Sequence, residues 1–417
     1  AGETTYTAAF ENEAFETQTK TVVNIEALGH DWAAPVWTWT AAADGFTAEA
    51  TFTCETDPSH TVTVEAAVTA ERQVITEDGI TRVATVYTAT AEGPDGAAYT
   101  DTKEVADDAF VISNSADFTA KLVMNYYMYF PQELLADEGL EVVITFDGEA
   151  HAYPVKDVTP TQKEGEDFLR YKFTQDVFAR QMRDEILLEV FDGAGNRVAF
   201  YVNRNHGDED LGYRTESGYS FAIIDYLKLA QVSGSEKMKE LAYAAEQYGI
   251  AAQYEFDYKT DGLEAVSDNV TAVTQDDLAV YAPVESGTLP AALSKANTNT
   301  VFFKADNTLR QFFILKSGES IDGLTVTVKP EGGAAEEAVP EPYSEVRYYV
   351  DIPDISPKRM ADTYTFVTTD GTDTYTYAIS VMGYVYKIIG SSSSETMVNL
   401  AKAAFLYHTA AKAYFQD

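Results

Sequence analysis

A single cysteine, Cys54, stands in the 417 residues, so no disulfide can close within the chain and its stability must come from burial. Basic residues are scarce as well. Against 67 Asp and Glu there are 29 Lys and Arg, a formal charge of −38, and no basic cluster offers a local exception. A field of that sign repels phosphate backbones and anionic bilayers, which argues against nucleic acid as a partner. No uncharged apolar run is long enough to span a bilayer. The longest candidate, Thr374 to Tyr386, is far too short, so no membrane insertion is expected. The opening "AGETTYTAAF" has no basic or apolar leader, so an export signal is expected to be absent from this sequence. Enzyme signatures are missing too: GxSxG, HExxH, a phosphate-cradling loop and a dinucleotide fingerprint do not occur, and "GESID" from Gly318 departs from the nucleophile elbow at its fifth position. Carboxylate pairs are too common in so acidic a chain to single out a glycosidase dyad. No enzyme, no cofactor and no bound metal are expected.

What is present is aromatic and alternating. Tyr and Phe number 27 and 22, and Thr, Tyr, Val and Ala alternate through most of the chain, as in "TRVATVYTATAE" from Thr81. Asp-Gly pairs begin at residues 44, 78, 95, 147, 192, 261, 322 and 370. Short strands joined by tight turns follow from that pattern. Helical spacing is confined to a few places. The strongest are "SEKMKELAYAAEQYGIAAQYEF" (235–256) and "SETMVNLAKAAFLYHTAAKAYF" (394–415), each opened by a serine cap and an acid. Met238, Leu241, Ala242, Ala245, Tyr248 and Ala252 form a buried stripe in the first, and Met397, Leu400, Ala401, Ala404, Tyr407 and Ala411 repeat it in the second. "YSFAIIDYLKLA" from Tyr219 aligns with "YAISVMGYVYKI" from Tyr377, each predicted as a first helix. Further back "RYKF" at Arg170 matches "RYYV" at Arg347. The fold expected is mainly β with α+β modules: an N-terminal small β-sandwich-like repeat, then two tandem β-sandwich plus helical-hairpin modules over 108–260 and 261–417. Residues 27–107 would form the small repeat, and 1–26 the end of a preceding repeat or its first strands. The first copy carries an extra loop, Tyr201 to Gly218, before its helical pair.

The stretch "GETTYTAAFENEAFETQTKTVVNIEALGHDW", with its Gly-His-Asp-Trp signature and the following "TWT…TATFTC…DPSH", resembles small β repeats of secreted and wall-attached proteins of anaerobic Gram-positive bacteria, many from the gut. "YYMYFPQELLADEGLEVVIT" and "AYAAEQYGIAAQY" are similar to a β-plus-helical-hairpin module that accompanies them. The resemblance implies an extracellular or cell-wall-attached adhesin or scaffold, a monomeric segment of a larger protein, without catalytic residues. Its partner would be a host or dietary glycoprotein or glycan, of mucin type, or an immunoglobulin. Many such repeats hold a second cysteine in the segment matching "VITEDG", where this chain has Ile75.

Several constellations are candidates for binding. Trp37 and Trp39, two apart on one strand, share a face that could stack sugar rings or fill a small core. Arg204, His206, Tyr213 and Arg214 in the extra loop offer positive and aromatic anchors on an acidic background. His30, Cys54 and His60 are zinc-donor types at irregular spacing without a CxxC pair. "HGDED" (206–210) and "DGAGN" (192–196) are fragments of calcium loops that do not complete the ligand spacing. Alternate members of "NYYMYFP" (125–131) should face the core. The three functions compared are an adhesin presenting β modules to a host glycoprotein, a carbohydrate-binding module and a passive spacer.

Overall fold

The computed structural model describes residues 2–25, 29–117, 122–202, 212–303 and 307–415. The architecture is mainly β with helices, as expected. The chain divides into two compact units, one of Ala1–Ile75 with Arg82–Asp107 and one of Thr76–Thr81 with Asp108–Asp417.

In the first unit β1 (Gly2–Ala8) and β2 (Gln18–Ile25) pair as an antiparallel hairpin. A three-stranded sheet follows, with β3 (Val36–Ala42), β4 (Gly45–Thr53) and β5 (Thr61–Glu65) in that order. β6 (Ala67–Glu77), β7 (Ile80–Glu92) and β8 (Ala98–Ala106) belong to another sheet, with β8 antiparallel to β7, and the stretch Thr76–Thr81 that joins β6 to β7 is counted with the second unit. The pleat sends Ala48, Ala50 and Phe52 of β4 to one buried face. Asp-Gly pairs close the hairpins for a steric reason. At β6–β7, Asp78 and Gly79 have φ of 51° and 77°, the all-positive geometry of a type I′ turn that matches strand twist.

The second unit begins with β9 (Ala109–Asp117), β10 (Val123–Tyr129), a single turn α1 (Gln132–Leu135), β11 (Glu141–Phe146), β12 (Glu149–Pro154), β13 (Tyr171–Asp176) and β14 (Ile186–Phe191). Four short strands follow: β15 (Arg197–Val198), β16 (Phe200–Val202), β17 (Tyr213–Thr215) and β18 (Tyr219–Phe221), then α2 (Ile223–Ser233) and α3 (Glu236–Glu255). After α4 (Asp268–Ala272) come β19 (Val284–Gly287), β20 (Leu293–Phe303), β21 (Asn307–Leu315), β22 (Thr325–Pro330), β23 (Glu336–Ala338), β24 (Glu341–Ser344), β25 (Arg347–Ile355), β26 (Tyr364–Thr369) and β27 (Thr374–Ile379), closed by α5 (Val381–Ser391) and α6 (Glu395–Tyr414).

Strand order is parallel in the two halves of this unit. One sheet of the first half has the order β13-β10-β9, matched by β25-β21-β20 in a separate sheet of the second half; another has β12-β11-β14, matched by β23-β22-β26. β18 returns to β14 with Tyr219 opposite Leu188, as β27 returns to β26 with Tyr377 opposite Phe366. The halves differ between these strands. β26 and β27 are joined directly, whereas β15, β16 and β17 intervene between β14 and β18. β16 pairs parallel to β9 and antiparallel to β17, so the ends of the predicted loop 201–218 are sheet. β15 runs parallel to Ile80 and Thr81.

Both predicted first helices start later than their sequence suggests, because Tyr219–Phe221 and Thr374–Ile379 are strands. Their period-two alternation pairs them with β14 and β26 before the helix begins. Ser380 then caps α5, accepting from Gly383 N at 2.9 Å, and Asp225 accepts from Ala222 N at 3.1 Å ahead of α2. The two long helices run as their caps predict, with Ser235 Oγ accepting from Met238 N and Ser394 Oγ from Met397 N.

α3 packs on α6, and alanines at the same positions of each, Ala245 and Ala252 in α3 and Ala404 and Ala411 in α6, are all fully buried. Such small side chains let helix axes approach closely. Tyr248 and Tyr407, equivalent in the two helices, stack with centroids 5.3 Å apart and planes 24° from parallel. Aromatic pairs of this kind contribute roughly 0.5–1.5 kcal/mol beyond their buried area. The next position differs. Gly249 lets α3 lie against the turn Ala179–Gln181, where an added Cβ would fall 2.7 Å from Met182 Sδ and 3.3 Å from the Ala179 carbonyl. In α6 the position is His408, whose Nδ1 lies 2.8 Å from the Pro357 carbonyl in the matching turn Pro357–Arg359.

His408 is buried against Tyr281, with Lys412 and Asp362 nearby, and burial holds its pKa below the ordinary value. The folded chain therefore keeps a neutral imidazole while the unfolded chain takes up a proton below about pH 6.5. The contribution is intact above that pH and is lost as pH falls through it. Urea titrations between neutral and mildly acidic pH should show wild type losing more stability than His408→Gln; equal losses would refute this assignment.

Candidate functional site

The four-stranded sheet β20-β21-β25-β24 turns a patterned face outward. Along β21, Leu309, Gln311, Phe313 and Leu315 are buried while Thr308, Arg310, Phe312 and Ile314 are half-exposed. The register sets Asp351 opposite Arg310, Tyr349 opposite Phe312 and Glu341 opposite Tyr349. Arg310 meets Asp351 in a bidentate pair, Nε to Oδ1 and Nη2 to Oδ2 at 2.7 Å each. Its guanidinium carbon lies 3.7 Å from the Tyr349 ring centroid and 4.8 Å from that of Phe302. Hydrogen bonding to Asp351 raises the Arg310 pKa further, so the charge is permanent. Tyr349 donates its hydroxyl to Glu341, which raises the tyrosine pKa.

Phe312 stands between Tyr343 at 5.4 Å and Tyr349 at 6.4 Å, both edge-to-face, and Tyr343 is 57% exposed. The result is a half-wet patch of apolar rings interleaved with a guanidinium and two carboxylates. It presents C–H-binding faces and fixed hydrogen-bonding groups together, the mixture that recognises amphipathic, hydroxylated surfaces. In the first half Lys172 Nζ lies 6.0 Å from the Tyr127 centroid, and Tyr129 packs with Phe110 at 4.9 Å and Phe168 at 5.7 Å. In β10 itself Tyr126 and Met128 are buried and Tyr127 and Tyr129 half-exposed, the alternation foreseen for "NYYMYFP".

Those sequence-predicted residues that the structure describes lie on other strands than these. Trp37 and Trp39 lie opposite Ala50 and Ala48 of β4, and Trp37 packs with Trp32, Val64, Ala66 and Tyr99 around Ala50, Phe52 and Ala91. Trp39 donates Nε1 to Asp101 Oδ2 at 2.8 Å. Trp37 is thus placed at the margin of a small core, and Trp39 meets Phe46 edge-on at 6.5 Å. Arg204 and His206, with "HGDED", lie outside the described residues. Tyr213 is 56% exposed on β17. Its neighbour Arg214 is engaged, with Nε 2.8 Å from Oδ2 of the fully buried Asp108 and Nη1 on Glu216. The "DGAGN" turn is held by Asp192, whose Oδ1 accepts from the amides of Ala194 and Asn196 and whose Oδ2 accepts from Thr81. Burial pushes the Asp192 pKa up, and these hydrogen bonds outweigh it.

Around Cys54 the rings of His30 and His60 meet edge-on at 5.0 Å, and His30 lies 4.8 Å from Trp32. Among the described residues no three or more His, Cys, Asp or Glu side chains are grouped to hold a metal. The Cys54 thiol lies 3.0 Å from Thr56 Oγ1, and that hydrogen bond, with a smaller one from His30, brings its pKa down to about 6.

The sheet face was missed in the sequence because "NTLRQFFIL" and "RYYVDIP" read as ordinary amphipathic strands. Their outward members become a cluster only when β21 and β25 are paired in register. No protein-family model matches this chain, and no curated protein matches it.

Two outcomes follow from these contacts. Ultraviolet thiolate absorbance should titrate with a midpoint near pH 6, and Thr56→Val should move the midpoint upward; a wild-type midpoint near the free value of about 8.5 would refute the assignment. Arg214→Ala takes the guanidinium away from a buried carboxylate, and urea unfolding should show a loss of about 3 kcal/mol, whereas a loss under about 1 kcal/mol would class the pair with exposed ion pairs.

Proposed function

We propose that this chain is a non-catalytic binding protein, secreted or displayed on a bacterial surface, and that it holds a glycan of a host or dietary glycoprotein, of mucin type, on the outer face of β20-β21-β25-β24. The observation that carries this reading is the aromatic patch of Phe302, Phe312, Tyr343 and Tyr349 built around the Arg310–Asp351 pair. Sugar rings offer apolar C–H faces and peripheral hydroxyls. The patch supplies rings for the former and a rigid guanidinium–carboxylate pair for the latter, on a strand scaffold that costs little to order. The extracellular setting rests on the resemblance of residues 2–107 to surface-protein repeats. The adhesin and carbohydrate-binding readings of the sequence meet here, with the site moved from the tryptophans to the second unit. No helix of the described residues is long and apolar enough to cross a membrane.

A mucin-glycan array probed with the full chain should show saturable binding that Tyr349→Ala and Phe312→Ala each weaken by about tenfold or more, the usual effect of removing a central aromatic contact. Binding unchanged in both variants, or no binding to any glycan, would remove the proposal.

A further inference from the structure

A second site lies where the two halves of the second unit meet. Phe178 and Arg180, on and beside the turn Ala179–Gln181, and Phe256, just past α3, face Thr300, Phe302 and Tyr384 from the other half across a cavity of about 260 Å³. The lining is mostly apolar, with Arg180 its one charged residue and Thr300 and Tyr384 its hydroxyl bearers, and Phe178 and Phe256 are 37% and 42% exposed, unusual for phenylalanines with a core to enter. The Arg180 guanidinium carbon lies 5.8 Å from the ring centroid of Phe178, 5.6 Å from Phe256 and 5.4 Å from Tyr258.

Those rings account for the faces of the guanidinium but not for its donors, which lie in its plane. Arg180 Nε is buried and makes no hydrogen bond, and among the described residues Arg180 has no carboxylate partner, although acids outnumber bases 67 to 29 in the chain. The nearby acids are committed: Asp184 takes Lys259 and the Tyr258 hydroxyl, and Glu255 takes the hydroxyl of Thr396. A buried, unpaired donor on a permanent cation is costly unless an acceptor arrives.

The related cavity on the other side of the helix pair makes the contrast. There Phe415 is equivalent to Phe256 and Tyr226 to Tyr384, and Lys358 Nζ lies 5.5 Å from the Phe415 ring. That cavity is lined by Asp117 and Lys172, so it carries both signs, whereas no acid lines the Arg180 cavity.

We infer that the Arg180 cavity binds a small arylalkanoate, its carboxylate on the Arg180 guanidinium and its ring among Phe178, Phe256 and Phe302. The volume suits one such molecule and is too small for a polymer segment. Occupancy would brace the two halves against each other, because each supplies one wall.

The test uses the full chain with hydrocinnamate and its neutral counterpart, hydrocinnamyl alcohol, in ligand-observed NMR titrations. Hydrocinnamate should bind saturably at one site, the alcohol about tenfold or more weaker, as expected for losing a charge-assisted hydrogen bond. Arg180→Gln, verified as folded by circular dichroism, should bind the two alike. Absence of saturable hydrocinnamate binding, equal affinities for acid and alcohol in the unmodified protein, or an undiminished acid preference in Arg180→Gln would each overturn the inference. If Arg180→Gln does not fold, the acid-to-alcohol ratio of the unmodified protein decides.

Discussion

The second unit depends on one contact, the packing of α3 on α6 with Tyr248 stacked on Tyr407. Alanines on both faces bring the helices close enough for the two rings to meet, and each helix belongs to a different half. Because equivalent residues meet each other, whatever α3 presents to the second half, α6 presents to the first. Phe256 and Phe415, one residue past their helices, are each carried to the opposite half's edge strand, β20 or β9, and the paired cavities are a by-product of that exchange. Removing either tyrosine would loosen the sheets' common support as well as a local stack.

From this shared plan the halves diverge in how they close a sheet edge. The first three residues of β9, Ala109–Val111, are paired by the inserted β16, which β17 covers in turn. Among the described residues no such strand pairs with β20, whose edge is met by a side chain of α5: Lys387 Nζ donates to the Asn297 carbonyl at 3.2 Å and to Asn299 Oδ1 at 2.7 Å. Burial lowers the Lys387 pKa, a sign that the ammonium has left water to reach that carbonyl. An open strand edge invites pairing with other chains, and each device occupies part of its edge.

The features legible in the sequence are those set by near neighbours. Caps at Ser235 and Ser394, the alanine stripes behind them and the Asp-Gly turns each involve a few consecutive residues, and each is found where its pattern lies. The starts of α2 and α5 were misjudged because Tyr219–Phe221 and Thr374–Ile379 can satisfy their alternation only by finding β14 and β26, a pairing that local spacing does not encode. The tryptophans were ambiguous for a related reason: two indoles on one face suit a core or a platform equally, and only Ala50 and Phe52 across the sheet distinguish them. Arg310 and Arg180 were invisible altogether. An arginine in a sequence carries no record of its acid partner, and here one has a carboxylate opposite it in register while the other has three rings and, among the described residues, no carboxylate.

That difference sorts the two arginines by chemistry. At Arg310 the bidentate Asp351 cancels the charge and Glu341 adds an acid beside Tyr349, so the face is neutral to negative within a chain of charge −38. An acidic sugar approaching it would meet repulsion at long range and no free cation at contact, which points the proposed glycan toward uncharged residues. At Arg180 the cation is uncancelled, but it sits within low-dielectric rings where the surrounding negative field is opposed at short distance by one positive charge. Only a small anion whose apolar body fills the cavity gains enough contact there to offset entry against the field. A single net charge can thus support a neutral-ligand face and an anion cavity in the same unit, separated by nothing more than whether an aspartate lies across the strand.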